Sequence, residues 1–308
     1  MSNRPYGTIQ VDVDELAVYY ESLSLPSPDG ESGPVYAQGL PRLLELFEQF
    51  EIRATFFICG RDLESADRRR LIRRMAEQGH ELANHSYSHP RGFARLPAKR
   101  LEEEILKSGE RIAEAGGAPV RGFRAPAFSL SPAVLHFLER AGYLYDASIL
   151  PTPWSPLMRW GHHRLSRCPL DESQYGHWRY GWAPLNPYHP DLDAPQRRGE
   201  TRLWECPVTT MPGLRLPFHS TFVIGFGAWV FRLGFLLNSL RARGITYLLH
   251  PAELIDPVED PCMASFRFLR VPWEDKRRLY ESMLQRLSRA YRLVPTVEYL
   301  QHQAAGGT

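Results

Sequence analysis

Apolar positions along the first half of the chain switch repeatedly between continuous buried runs and helical spacing. Residues 8–13 read as a strand that ends in two aspartates, Asp12 and Asp14. Leu40, Leu43, Leu44, Phe47 and Phe50 then recur at helical intervals, followed by an apolar run at 53–59. Leu71, Ile72, Met75 and Ala76 mark another helix, stopped by Gly79, and residues 80–84 read as the strand that delivers His85. A charged helix carrying Leu101, Ile105 and Ile112 on one face ends at Gly116-Gly117. Residues 120–124 and 144–146 are further short strands, separated by a helix that Ser131-Pro132 opens and Gly142 closes.

Strands alternating with helices predict parallel pairing in a closed or doubly wound sheet. The polar residues fall at the C-terminal ends of the predicted strands: Asp12, Asp14, His85, Arg124 and Asp146. In a parallel barrel that end carries the active site. The pattern breaks at about 151–219, a stretch dense in Pro, Trp, Tyr and His, which is too aromatic for a disordered linker and is expected to be an ordered insertion over the barrel mouth. The barrel resumes with 245–250, and 273–291 is a late helix with Leu279, Met283 and Leu287 on one face. Residues 221–240 are apolar almost all round, with Arg232 the only charge. A buried barrel helix is the expectation; a helix lying in a membrane interface is the alternative, and a full span is not expected, given the charge and the flanking strands.

Bulk properties narrow the class. A chain of 308 residues with 43% apolar content and a net charge of +2 is a globular protein with a large core, and nothing suggests nucleic acid. Cys59, Cys168, Cys206 and Cys262 lie far apart without a CxxC pair, as in a reducing compartment. The N-terminus lacks an apolar signal core, so a cytoplasmic location is expected, with peripheral contact at the inner face of the membrane left open. Oligomeric state is open as well.

The chemistry lies in two clusters, Asp12-Val13-Asp14 and His85-Ser86-Tyr87-Ser88-His89. Two imidazoles and one carboxylate can form a facial metal site with open positions, and a second carboxylate beside it can act as a base. The bland alternatives are surface or core histidines, and aspartates that hold loop amides. His162 and His163 have no carboxylate at a telling spacing and read as substrate contacts or surface. Trp154, Trp160, Trp178 and Trp182 could stack on sugar rings, but packing of the insertion onto the barrel is preferred.

The ordered set DVD (12–14), HSYSH (85–89), RAP (124–126), Asp146 to Ser148 and LLH (248–250) resembles the polysaccharide deacetylases of carbohydrate esterase family 4. The resemblance covers most of 7–150 and returns at 245–300. It is closest to the cytoplasmic branch with DxD in its first motif, which includes amino-sugar deacetylases and deformylases and an imidase-like relative. It implies a single distorted (β/α)7-8 barrel over 1–308, with the insertion at about 151–219. It also implies a divalent metal on Asp14, His85 and His89, most plausibly Zn2+, with Co2+, Ni2+ or Mn2+ as alternatives. Asp12 would be the general base, Arg124 its partner, the Ala127 N–H an oxyanion donor, His250 the general acid, and Asp146 the group orienting His250. Two departures stand out: Ala127 replaces a usual aromatic, and the tryptophan of the fourth motif is absent. The implied activity is removal of an N-acetyl or N-formyl group from an amino sugar, as a glycan or lipid-linked substrate of a cell-envelope or exported-glycan pathway. Hydrolysis of a non-sugar amide or cyclic imide, and an inactive glycan-binding barrel, are the competing expectations.

Overall fold

A computed structural model describes residues 4–26, 33–166, 175–241, 243–261, 263 and 266–306. Its centre is a parallel sheet of eight strands: β1 (Tyr6–Val13), β2 (Thr55–Ile58), β3 (Glu81–Asn84), β4 (Gly122–Phe123), β5 (Tyr145–Asp146), β6 (Trp204–Glu205), β7 (Ile245–Leu249) and β8 (Arg292–Leu293). The strand order is β6-β5-β4-β3-β2-β1-β7, with β8 beside the start of β1. The sheet is curled, and the gap between its ends is bridged past β6, where the Thr209 N–H donates to the Thr246 carbonyl at 3.0 Å. This is the expected distorted barrel.

The sheet continues through β6, inside the stretch read as an insertion, so the barrel resumes well before residue 245. Two-residue strands flanked by Pro and aromatic residues carry too little periodicity to be read from sequence.

Ten α-helices surround the sheet among the described residues. They are α1 (Leu16–Ser22), α2 (Leu40–Gln49), α3 (Ala66–Glu77), α4 (Ala98–Gly116) and α5 (Pro132–Arg140), followed by α6 (Ser155–Ser166), α7 (Ser220–Phe226), α8 (Ala228–Ser239), α9 (Trp273–Ala290) and α10 (Thr296–Gly306). None of them is long and apolar enough to cross a membrane.

Strand parity organises the interior, because successive side chains point to opposite faces. On β1, Ile9, Val11 and Val13 join the large outer core with Leu43, Phe47, Met283 and Leu287 of the helices. Thr8, Gln10 and Asp12 take the other face, inside the barrel. At the bottom, Thr8, Gln10 and Thr55 meet the Thr296 hydroxyl at 2.9–3.1 Å, so the start of α10 plugs the barrel. Phe57, Ala83, Tyr145, Ala147 and Cys206 fill the level above. The next inward positions toward the C-terminal ends are the candidate site.

The segment at 221–240 departs from its expectation. It is two helices, α7 and α8, broken at Gly227 (φ +103°). Val223, Val230 and Phe231 are buried against the barrel, while Phe226, Trp229, Leu233, Leu236 and Leu240 are exposed. Trp154, Trp160, Trp178 and Trp182 are also exposed, so the expected close packing of these rings onto the barrel is not observed. Cys59 and Cys206 are buried free thiols; Cys168 and Cys262 lie outside the described residues.

Candidate metal centre and proton-transfer site

The inward parity of β1 explains the DxD spacing. Asp12 follows Thr8 and Gln10 on the inner face, and Asp14 is the next inward position, so two residues of separation put both carboxylates over the barrel mouth. The same rule on β3 takes Glu81 and Ala83 to His85, and on β7 takes Thr246 and Leu248 to His250.

His89 reaches the site by a tight turn. Ser86 (φ +66°) and His89 (φ +54°) are both left-handed, a conformation that costs a side-chain-bearing residue about 1–2 kcal/mol. Side chains hold the turn in place. Asn84 Oδ1 accepts from the Ser86 N–H at 2.9 Å, Ser86 Oγ accepts from the His89 N–H at 3.1 Å, and the buried Glu104 accepts from the Ser88 N–H and hydroxyl at 2.8 and 2.7 Å.

The result is one cluster. Asp14 Oδ1 lies 3.4 Å from His85 Nε2 and 3.6 Å from His89 Nε2. The candidate ligand atoms of Asp14, His85 and His89 all lie within 4.8 Å of one another, the only such group among the described residues. Asp14 Oδ1 is buried without a hydrogen-bond partner. His85 Nδ1 sits 2.8 Å from the Arg124 carbonyl, so Nδ1 carries the proton and the Nε2 lone pair faces Asp14. Burial pushes both imidazoles below their ordinary value, His89 to about 4, which keeps them neutral donors of a lone pair.

Arg124 lies beneath this cluster and is fully buried. Its guanidinium donates to Asp12 Oδ1 at 2.6 Å, to Gln10 Oε1 and, through Nε, to the Ala147 carbonyl at 2.8 Å, while lying 4.3 Å over the Phe57 ring. Burial alone would raise Asp12, yet the charge of Arg124 and the neighbouring imidazoles hold it below the ordinary carboxylate value. Asp14 is pushed up by burial, with Asp12 adding to the effect. Ala127, next to Pro126, is left-handed with φ +50°.

His250 approaches from β7, with Nε2 3.8 Å from Asp12 Oδ2. Its other nitrogen meets Glu253 Oε1 and Thr221 Oγ1, each at 3.2 Å. Glu253 is fully buried and also accepts from the Thr221 and Tyr280 hydroxyls. Burial would lower His250, but the carboxylates around it, Glu253 foremost and then Asp12 and Asp14, more than offset it and raise the imidazole above its ordinary value. His219, half-buried at the start of α7, has a buried Nδ1 without a hydrogen-bond partner on the same side of the site.

Asp146 is therefore not the partner of His250. Tyr145 and Ala147 take the inward positions of β5, so Asp146 faces outward. There it accepts from the Ser148 hydroxyl at 2.5 Å and lies beside Glu205, with burial raising both carboxyl groups. Parity along a short strand decides this, and the spacing of the motifs does not reveal it. Glu253 was missed because it follows the strand, in the turn Pro251–Leu254; an acidic residue three positions after a strand-end histidine was the available signal. His162 belongs to α6, where Nδ1 lies 2.7 Å from the Tyr175 hydroxyl, and His163 is exposed.

The family model of polysaccharide deacetylases matches residues 29–145. The peptidoglycan deacetylase of Helicobacter pylori is 33% identical over 149 residues, covering 47% of this chain and 50% of that protein. The chitooligosaccharide deacetylase of Sinorhizobium fredii is 35% identical over 136 residues, covering 44% and 60%. The chain thus spans between half and three-fifths of the length of these two relatives. A crystal structure from Mycobacterium smegmatis assigned to the polysaccharide deacetylases matches 99% of this chain and 93% of its own, with a TM-score of 0.60 at 18% identity, a likeness of fold. Residues 29–145 are thus similar in sequence to polysaccharide deacetylases, and the chain as a whole is similar to one in fold.

Proposed function

We propose that this protein is a metal-dependent hydrolase that removes an N-acyl group, acetyl in the first instance, from an amino sugar of a glycan. The observation that carries the reading is the convergence of Asp14, His85 and His89, with a buried carboxylate oxygen that no protein group satisfies. One carboxylate and two neutral imidazoles suit a borderline divalent ion such as zinc or cobalt. When bound, such an ion supplies a Lewis acid that polarises the acyl carbonyl and makes water more acidic.

The remaining steps belong to side chains of this chain. Asp12, ionised by Arg124, accepts the proton of the water that attacks the acyl carbon. The Ala127 N–H would donate to the developing oxyanion, as the resemblance implies. His250, whose protonated form Glu253 favours, gives its proton to the sugar nitrogen as the C–N bond breaks, leaving acetate and a free amine. An amide needs both aids, because its carbonyl is a weak electrophile and its amine a poor leaving group.

The relatives described as peptidoglycan and chitooligosaccharide deacetylases favour a glycan substrate over a non-sugar amide. The test is release of acetate or formate by the metal-loaded protein from N-acetylated chitooligosaccharides, peptidoglycan fragments, a lipid-linked N-acyl amino sugar and a simple cyclic imide. Acyl release confined to the sugars supports the reading; turnover of the imide alone overturns it.

A further inference from the structure

The exposed face of α7 and α8 is an unpartnered apolar stripe with a basic border. Trp229, Leu233, Leu236 and Leu240 follow one another at helical spacing along α8 and its C-terminal end, and Phe226 continues the row across the Gly227 break. Trp229 is 61% exposed and Leu240 75%, whereas the opposite face packs tightly. Phe231 stacks on Phe218 at 5.6 Å, and Gly234 gives the Phe218 ring room that a side chain would fill. The row is therefore turned outward by a fixed seat on the barrel, with no slack for it to fold inward.

The charges around the row have one sign. Arg232 is exposed beside it, Arg241 and Arg243 are exposed at its end, and no acidic residue occurs between 220 and 243. A second copy docking here by twofold symmetry would bring together two surfaces whose borders carry the same positive charge. An anionic surface complements them, and the mixture of Trp, Phe and Leu with flanking Arg suits insertion at the level of lipid headgroups.

We infer that the α7–α8 face docks on an anionic lipid surface, with the helix axis of α8 lying along the interface. This inference does not rest on the reaction proposed above. It has a consequence for the site, because α7 begins beside it: Thr221 Oγ1 is 3.2 Å from His250 Nδ1. Docking through α7–α8 places the barrel mouth at the membrane edge, within reach of a substrate carried on lipid.

Co-sedimentation of the full chain with phosphatidylglycerol/phosphatidylcholine vesicles, and with phosphatidylcholine alone, tests the inference. At low ionic strength the protein is expected on the anionic vesicles, and raising salt to about 0.5 M should release it as screening shortens the reach of the arginines. Leu233→Ser with Leu236→Ser, and separately Arg241→Glu with Arg243→Glu, should each weaken binding by at least about tenfold with circular dichroism and melting unchanged, because all four side chains are exposed. The charge reversals keep the test valid should the serine variant fold poorly. Absence of the wild-type protein from anionic vesicles overturns the inference, as does binding equal in all variants. A stable dimer that the Leu233→Ser, Leu236→Ser variant dissociates overturns it in favour of self-association.

Discussion

Oε1 of Glu253 lies 3.2 Å from Nδ1 of His250, three residues earlier in the chain, and the carboxylate that makes this contact is fully buried. The pair sets both the tautomer and the charge of the imidazole. With Nδ1–H directed at Glu253, Nε2 is the nitrogen presented to the site, 3.8 Å from Asp12.

A test of this pair is the pH profile of kcat/KM. Glu253 foremost, with Asp12 and Asp14, raises His250 above the ordinary imidazole value, so a general acid at this position stays protonated, and active, to a correspondingly higher pH. Glu253→Gln removes the negative charge, moves the alkaline limb to lower pH, and should reduce turnover by about tenfold or more, short of the roughly 10²–10⁴-fold cost of losing the acid itself. Asp146→Asn, altered on the outward face, should leave the limb in place. A limb that Asp146→Asn shifts and Glu253→Gln does not would reverse the assignment.

The two aspartates of the first cluster should separate in metal content. Asp12 is held by Arg124 at 2.6 Å, while Asp14 lies against the two imidazoles. Asp12→Asn is expected to keep the ion and lose roughly 10²–10⁴-fold in turnover, the typical contribution of a positioned base. Asp14→Asn should lose the ion as well, since two imidazoles alone hold it weakly. Elemental analysis of both variants after identical loading decides the point; equal metal content would contradict the division of roles.

A further prediction concerns stability, away from the site. His80 Nδ1 accepts from the Ala54 N–H at 3.1 Å, and its ring lies 5.1 Å from that of Phe56. Burial, aided by Arg53, lowers it to about 4. An unfolded imidazole titrates near about 6.5, so between these values the unfolded chain binds more protons and stability falls as pH falls. The contribution is complete above about pH 6.5 and should decline by on the order of 2 kcal/mol toward pH 4. Urea unfolding of chelator-treated protein should show a shallower decline for His80→Asn, which keeps an acceptor and does not titrate. An identical decline would assign the acid sensitivity to other groups.

Much of the barrel was legible because its longer strands are apolar runs or apolar-polar alternations that stop at polar residues. Asp12, Asp14, His85, Arg124 and His250 all stand at strand ends as expected, and parity explains why the first two are separated by one residue. What stayed hidden lies where periodicity is too short to read. Asp146 sits on a strand of two residues, β5, whose parity depends on its neighbours Tyr145 and Ala147. β6 is equally short and embedded among aromatics. Glu253 belongs to a turn, where no pattern reports direction. The α7–α8 segment misled in another way: an apolar helix inside a barrel domain reads as core, yet Gly227 turns its path so that one face remains outside.

The most direct test of the metal-dependent mechanism is titration of chelator-stripped protein with zinc or cobalt while acetate release from an N-acetylated chitooligosaccharide is followed. Activity should be absent after stripping and return in proportion to metal, saturating at about one ion per chain. The His85→Ala, His89→Ala double variant should regain none of it. Acetate release that survives stripping, or that the double variant supports at the wild-type level, would contradict the account.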